Sequence, residues 1–273
     1  MMTTQQLISL PVTMQIEGID MFAHIMQMQG KAYRDVGVRK TIQVNIDGKS
    51  YFIKQHFGVG WLEIFKNLLS LKLPILGAIT EVTAIRKLGD IGIATTPLVA
   101  YGQRGRNPAT LQSFVITEDL GDIISLEDLC ADWQENPPSS AFKQQLIISI
   151  AQLAAKLHGA GICHRDFYLC HLVLKRTELA QGQVDLILID LHRMLLGQSS
   201  HGSTVMKDIA GLFFSAMDCG LNADDFILFK HYYLPQTDVF WMNVEQRANK
   251  LYAKFKSSKF QKRLANERLA VKL

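Results

Sequence analysis

No apolar run in these 273 residues approaches the ~20 residues that a membrane-spanning helix needs. The opening Met1-Met2-Thr3-Thr4-Gln5-Gln6 lacks the basic segment that begins a secretory signal, so a cytosolic location is expected. Cysteine is sparse: Cys130, Cys163, Cys170 and Cys219 form no Cys-x-x-Cys pair and no zinc-ligand spacing. Reduced thiols are therefore expected, with packing roles for Cys163 and Cys170. There is no internal repeat and no low-complexity tract apart from a lysine-biased tail. Apolar residues nevertheless make up 48% of the chain, which excludes a disordered protein and suffices for one large domain or two lobes.

Charge is unevenly spread. From Glu245 to Leu273 there are nine Lys or Arg against two Glu, a net +7, which leaves −3 for the rest given the chain total of +4. Such a tail can face nucleic acid, anionic lipid or another phosphorylated surface, or it can simply be a solvated helix face.

The chemistry concentrates in Cys163-His164-Arg165-Asp166-Phe167-Tyr168-Leu169-Cys170-His171, which runs into the apolar Leu172-Val173-Leu174. A second apolar run, from Val184, ends at Ile189-Asp190. Phosphoryl transfer uses such a pair of carboxylates: one orients the attacking hydroxyl and takes its proton, and the other holds magnesium on the phosphates. A His-Arg-Asp triplet alone is a weak signal. Followed by two apolar strands and a terminal Asp it is much stronger, and this order would bring Asp166 and Asp190 to one mouth.

Upstream, Thr41-Ile42-Gln43-Val44-Asn45-Ile46 alternates, Asp47-Gly48 signals a hairpin turn, and Lys49 to Lys54 is the return strand. Lys54 can reach nucleotide phosphates from there, or it can be a solvent-facing lysine; the two downstream aspartates favour the phosphate role. Trp61 to Leu73 has helical spacing with a wide apolar arc, either packed on a small lobe or docking on a membrane or partner. Glu81 opens a further helix, where it can pair with Lys54 or simply sit favourably at a helix N-terminus. Pro97–Tyr101 and Ser113–Thr117 read as strands. Glu118-Asp119-Leu120 then marks a lobe boundary and an adenine-binding hinge. Pro137-Pro138-Ser139-Ser140 opens a long helix buried along Phe142, Leu146, Ile150, Leu153 and Leu157, which Gly159 and Gly161 stop. Gly211–Leu221 and Phe226–Tyr233 are helical, with Asp208 just before the first. Residues 1 to about 30 show no useful pattern.

Taken together, Gly48–Lys54, Lys66–Pro74, Thr117–Leu120, His164–His171, Ile189–Arg193 and Lys207–Ser215 resemble the lipopolysaccharide kinase family, specifically the heptose kinases of the bacterial inner core. The resemblance runs from about Gly18 to Leu251. It implies an α+β, bilobal, protein-kinase-like fold: a small, mostly antiparallel β lobe over 1–120 with the 61–73 helix inserted, and a larger helical lobe over 121–273. It also implies ATP- and Mg2+-dependent phosphorylation of a heptose hydroxyl, O-4 of the first heptose, on the lipopolysaccharide core at the inner face of the inner membrane. Lys54 would bind phosphates and Glu81 pair with it; the backbone of Glu118 and Leu120 would meet adenine. Asp166, with Arg165 beside it, would act as the base and Asp190 would hold magnesium. Asp208 and His164 would support the catalytic loop. Acyl carrier protein is a further partner that the resemblance implies, with the basic tail as its contact; nucleic acid is not.

Three departures from general kinases stand out. No Gly-x-Gly-x-x-Gly precedes Lys54; Tyr33–Arg39 stands there, and Arg34 or Arg39 is expected to contact phosphates. His171 replaces the metal-binding Asn, either as a ligand or as a hydrogen-bonding group within the loop, imidazole being a poorer ligand than oxygen for hard magnesium. Only 18 positions separate Asp190 from Asp208, with no Ala-Pro-Glu between them. A long, phosphorylation-controlled loop does not fit there, which disfavours a regulated protein kinase. The remaining alternatives are a kinase of another acceptor, such as Kdo or a protein, and a non-catalytic kinase-like module.

Overall fold

The structure, a computed structural model, describes residues 3–7, 11, 18–35, 37–69 and 77–263. The chain forms two compact units: Met1–Asp122 with Leu188–Met194, and Ile123–Ile187 with Leu195–Leu273.

The first unit is built on a six-stranded antiparallel sheet. Its strands are β1 (Thr3–Leu7), β2 (Lys31–Asp35), β3 (Arg39–Ile46), β4 (Lys49–His56), β5 (Leu98–Arg104) and β6 (Gln112–Glu118), in the order β1-β5-β6-β4-β3-β2. Asp47 and Gly48, at φ 53° and 76°, make the two-residue turn joining β3 to β4. Positive φ at both central positions matches the twist of the flanking strands. Pairing Ile42 with Ile53 and Val44 with Tyr51 puts four apolar side chains on one face. Helix α1 (Met21–Gln27) covers that face through Phe22, Ile25 and Met26, and the Asp20 carboxylate caps it by accepting from the Ala23 N–H at 3.2 Å. Gly102 makes the closeness possible: a Cβ there would lie 2.4 Å from the Phe114 ring. The region expected to be unpatterned thus supplies both a strand and the helix that seals the sheet. The opposite face packs Tyr101 and Val115 against Ala78 and Val82 of helix α3 (Ile79–Asp90). Helix α2 (Gly60–Leu69) forms over the first part of the apolar stretch foreseen over 61–73; positions 70–73 of that stretch lie outside the described residues.

The second unit is mainly helical. A short antiparallel pair, β7 (Ile123–Ser125) with β8 (Leu172–Lys175), is followed or flanked by α4 (Leu126–Leu129), α5 (Ser140–Gly159), α6 (Arg176–Leu179), α7 (Ser203–Ser215), α8 (Ala223–Tyr232) and α9 (Asp238–Lys256). Caps explain the starts: Ser139 accepts from Phe142 N–H, Thr237 from Phe240 N–H, and Asn222 with Asp225 closes a capping box. Helix α5 packs on α8 and α7 on α9, around the rings of Phe213, Phe229, Tyr233 and Trp241. The apolar run from Val184 is a strand only at Ile187–Leu188 (β9). The mixed α+β class, with an antiparallel sheet before a helical region, is as expected.

Candidate active site

Strand alternation positions Lys54. Tyr51 and Ile53 point toward α1, so Lys54 points to the other face, where α3 lies. Its Nζ meets Glu81 Oε1 at 2.6 Å. The Glu81 side chain is 4% exposed and the Lys54 side chain 30%, so the carboxylate is enclosed while the ammonium still reaches solvent. Such a pair aims one cation at a fixed point.

That ammonium opens into a cavity lined also by Arg34, Arg39, Lys40, His56, Asp190 and His192. Three permanent cations, Arg34, Arg39 and Lys54, face two carboxylates, the Lys40 ammonium being turned to Gln29 on the other face of the sheet, so the cavity favours an anion with several charges. Burial lowers the Arg39 pKa, and the neighbouring Arg34 lowers it further. Burial likewise pulls His56 down to about 4, helped by Arg39, Lys54 and His192, so its ring is neutral near pH 7. A polyphosphate would relieve this mutual repulsion.

Asp190 belongs to the same unit although it comes 136 positions after Lys54. Its segment is tied down by Leu188 N–H donating to Ala94 C=O at 2.9 Å and Thr95 Oγ1 donating to Leu188 C=O at 2.6 Å. Asp190 adopts φ 62°, ψ 55°, unusual for a residue with a Cβ, and starts a 3-10 turn (Leu191–Arg193) packed on α3. Its carboxylate accepts from His192 Nδ1.

At the end of β6, the Glu118 N–H donates to Pro97 C=O at 3.0 Å. Asp119 braces the turn that follows, accepting from Gln43 Nε2 at 2.6 Å, Ser50 Oγ at 2.7 Å and the Gly121 N–H at 3.0 Å. Burial pushes its pKa up, but these three donors outweigh that and hold it below the ordinary value. Leu120 lies, half-buried, within this braced segment.

In the second unit, Asp208 organises the loop; it lies inside α7, which starts at Ser203 and not, as expected, after Asp208. Buried to 2% exposure, it accepts from the His164 N–H at 2.6 Å and the Arg165 N–H at 2.8 Å. Arg165 takes φ 72°, which turns the chain so that consecutive amides converge on one carboxylate. Behind it, His158 bridges Tyr233 Oη at 2.7 Å and Asp208 Oδ2 at 3.4 Å. Burial, then the Asp208 charge, pushes the Cys163 thiol up to about 12. His158, Cys163 and Asp208 lie within metal-ligand range of one another, but both carboxylate oxygens accept backbone amides and the thiol stays protonated. The cluster is a brace. Gly211 lets α7 approach the loop, since a Cβ there would lie 3.0 Å from the Tyr168 ring and 3.2 Å from Phe167 C=O.

Asp166 and Arg165 are half-buried. His171 Nδ1 lies 2.6 Å from Asp166 C=O. A carbonyl only accepts, so Nδ1 carries the proton and a neutral ring has its lone pair on Nε2. Metal-binding histidines are commonly oriented in this way. The loop hydrogen bond foreseen for His171 exists, and it leaves the ligand role compatible with the same tautomer.

The description "Lipopolysaccharide kinase (Kdo/WaaP) family" matches residues 23–233. The chain belongs to this family. It is 40% identical over 246 residues to "Lipopolysaccharide core heptose(I) kinase WaaP" of Pseudomonas aeruginosa, covering 86% of this chain and 91% of that one. It is 42% identical over 217 residues to the protein of the same description from Escherichia coli K12, covering 79% and 82%. A solved structure described as "WaaP in complex with acyl carrier protein" superposes with a TM-score of 0.77 at 33% identity, covering 92% of this chain and all of that one. As a member of the lipopolysaccharide kinase family, the chain is a kinase, and ATP is the implied phosphoryl donor.

Against this family background, Lys54, Glu81, Arg34, Arg39 and Asp190 line a single cavity of the first unit. His164, Arg165, Asp166, His171 and Asp208 form one hydrogen-bonded loop in the second. Glu118 and Leu120 flank Asp119 apart from the cavity-lining residues. His56 and the His158–Tyr233 pair were not foreseen, nor was the bracing role of Asp119, named in the sequence only as part of the hinge. For His56 a signal existed: two positions after Lys54, it lies on the same strand face.

Proposed function

We propose that the chain transfers the γ-phosphoryl group of ATP to a hydroxyl of the first heptose of the lipopolysaccharide inner core, with O-4 as the acceptor oxygen. The observation that carries this reading is the 40–43% identity, over about four-fifths or more of the chain, to three heptose(I) kinases. Lys54, steadied by Glu81, holds phosphate oxygens, and Arg34 and Arg39 take further charge. The backbone of Glu118 and Leu120 holds the adenine; with the Glu118 N–H given to Pro97, its carbonyl is the contact. Asp166 orients the heptose hydroxyl and accepts its proton as that oxygen attacks the γ-phosphorus. The bond to the bridging oxygen breaks and its electron pair leaves with ADP. Asp208 keeps Asp166 in place through the amides before it.

The residues present fit magnesium. Asp190 offers hard carboxylate oxygens beside the cationic cavity of the first unit and would hold the ion. Magnesium bound there would neutralise phosphate charge. On this reading the protein works in the cytoplasm at the inner face of the inner membrane. Among the described residues no helix is long and apolar enough to cross a membrane.

Mass spectrometry of the core oligosaccharide from cells with and without the gene tests the reading. The expected result is loss of one heptose phosphate, restored by the wild-type gene and not by Asp166→Ala. Restoration by a folded Asp166→Ala protein would remove Asp166 as base; an unchanged core would move the acceptor elsewhere. Acyl carrier protein is a second proposed partner. The solved neighbour is a complex with that protein, and Arg247, Lys250, Lys254 and Lys259 give this chain an exposed basic face. Since α9 packs on α7, charge reversal at Lys250, Lys254 and Lys259 is the suitable test. Undiminished copurification would exclude this face.

A further inference from the structure

Helix α2 carries an unusual surface. Ile64 is 5% exposed, whereas Trp61, Leu62, Phe65 and Leu69 are 51%, 89%, 56% and 87% exposed. At about 100° per residue these four fall within an arc of about 100°. The rings of Trp61 and Phe65 stack with centroids 5.9 Å apart, forming one apolar plate. Val38 and Phe57, joined by a 3.0 Å backbone hydrogen bond just ahead of the helix, add further exposed apolar area.

The stripe is presented on a fixed support. The Gly60 N–H donates to Ala109 C=O at 2.9 Å, and a Cβ on Gly58, at φ 92°, would lie 2.8 Å from the same oxygen. The surroundings are basic. Positions 57–77 contain Lys66 and Lys72 against Glu63, and the loop after β5, over 105–110, adds Arg106 with no acid, the Arg104 guanidinium of β5 being paired with Asp20. Lys66 lies next to the apolar arc on the helix wheel, and Arg106 is exposed in the loop that anchors it. An apolar stripe with aromatic residues and a cationic border matches a surface of hydrocarbon beneath anionic headgroups.

We propose that α2 is an interfacial anchor that rests its Trp61–Leu62–Phe65–Leu69 stripe on an anionic lipid surface and so brings the kinase to a membrane-embedded acceptor. This rests on the reading of the acceptor as a lipid-linked glycan. The contact is shallow and reversible, since ten helical residues bearing one apolar stripe lie on a membrane and do not span it.

Trp133 and Trp241 are buried, so a lipid-dependent change in tryptophan emission reports on Trp61. The full-length protein is mixed with vesicles of phosphatidylethanolamine and phosphatidylglycerol, or of phosphatidylcholine alone, then floated and its emission recorded. The expected result is a blue-shifted emission and flotation with the anionic vesicles only. Binding should be at least about tenfold weaker for Trp61→Ser/Phe65→Ser and for Leu62→Ser/Leu69→Ser, with unchanged far-UV dichroism. Transfer to soluble core oligosaccharide should be unchanged in both variants, and transfer to lipopolysaccharide in vesicles reduced. Unchanged flotation in the folded variants would overturn the anchor. So would equal binding to both vesicle types, or a Trp61 emission change on adding acyl carrier protein with none on adding lipid. Normal flotation with no transfer to either acceptor would uphold the anchor and sink the heptose reading alone.

Discussion

Asp208→Asn is the sharpest perturbation of the catalytic loop, because it changes one oxygen to a nitrogen and almost no volume. The carboxylate accepts two backbone N–H groups in a buried site. A hydrogen bond to a charged group contributes about 1.5–3 kcal/mol, and a buried donor left without an acceptor costs about 1–3 kcal/mol. Asparagine keeps one acceptor oxygen and sets an NH2 group against the other amide, so one bond is lost and one backbone N–H faces a donor. The loss in stability is about 3–4 kcal/mol. At about 2–4 °C per kcal/mol for a domain near 150 residues, the unfolding midpoint should fall by roughly 6–15 °C. Scanning calorimetry with and without nucleotide measures this, alongside transfer kinetics well below the lowered midpoint. kcat should fall at least about tenfold while the KM for ATP holds, since the nucleotide groups lie on the other unit. An unchanged midpoint with unchanged kcat would refute the claim that Asp208 positions Asp166.

Lys54→Ala should raise the ATP KM and lower kcat, and Glu81→Gln should give a milder form of both, because the ammonium remains but is no longer held; equal ATP titrations for wild type and Lys54→Ala would remove Lys54 from the site. His56 is held neutral with its pKa lowered to about 4, below its unfolded value near 6.5. The unfolded chain therefore binds more protons as pH falls through that window, and stability present above about 6.5 is lost progressively toward 4. Chemical denaturation at pH 7 and 4.5 should show this for wild type and a flatter response for His56→Gln. Changing His171 to Asn should keep or improve Mg2+-supported activity and His171→Ala should raise the metal concentration needed; identical metal titrations in all three would make His171 purely a loop residue.

The placement of several candidate residues could be read before the fold was known, for identifiable reasons. Lys54 is legible because strand alternation has a strict period of two, and Glu81 because it opens an amphipathic helix. The loop around Asp166 is legible because its residue types are dense and their spacing is short. What stayed hidden depends on contacts distant in sequence. Strand β1 is set by its pairing with β5, and helix α1 by the sheet face it covers, with Phe22 closing over Gly102. The run from Val184 is strand-like over only Ile187–Leu188, since apolarity signals burial there and not pairing. The brace of Asp119 by Gln43 and Ser50 spans 76 and 69 positions, which no local pattern encodes. The depressed titration of His56 likewise needs Arg39 and His192 beside it.

The membership of Leu188–Met194 in the first unit bears on how the protein is made. A ribosome delivers Asp122 well before Leu188, and at about 5–20 residues per second the interval is roughly 3–13 s. During it, the Ala94 carbonyl and the Thr95 hydroxyl lack their later backbone partners, and the face of α3 that receives Leu191 is uncovered. A nascent chain that ends before Leu188 holds all six strands of the sheet, with Lys54 and Glu81, and no Asp190. The first unit therefore completes its chain only after Ile123–Ile187 of the helical unit has been synthesised, so its last seven residues arrive after a large part of its neighbour.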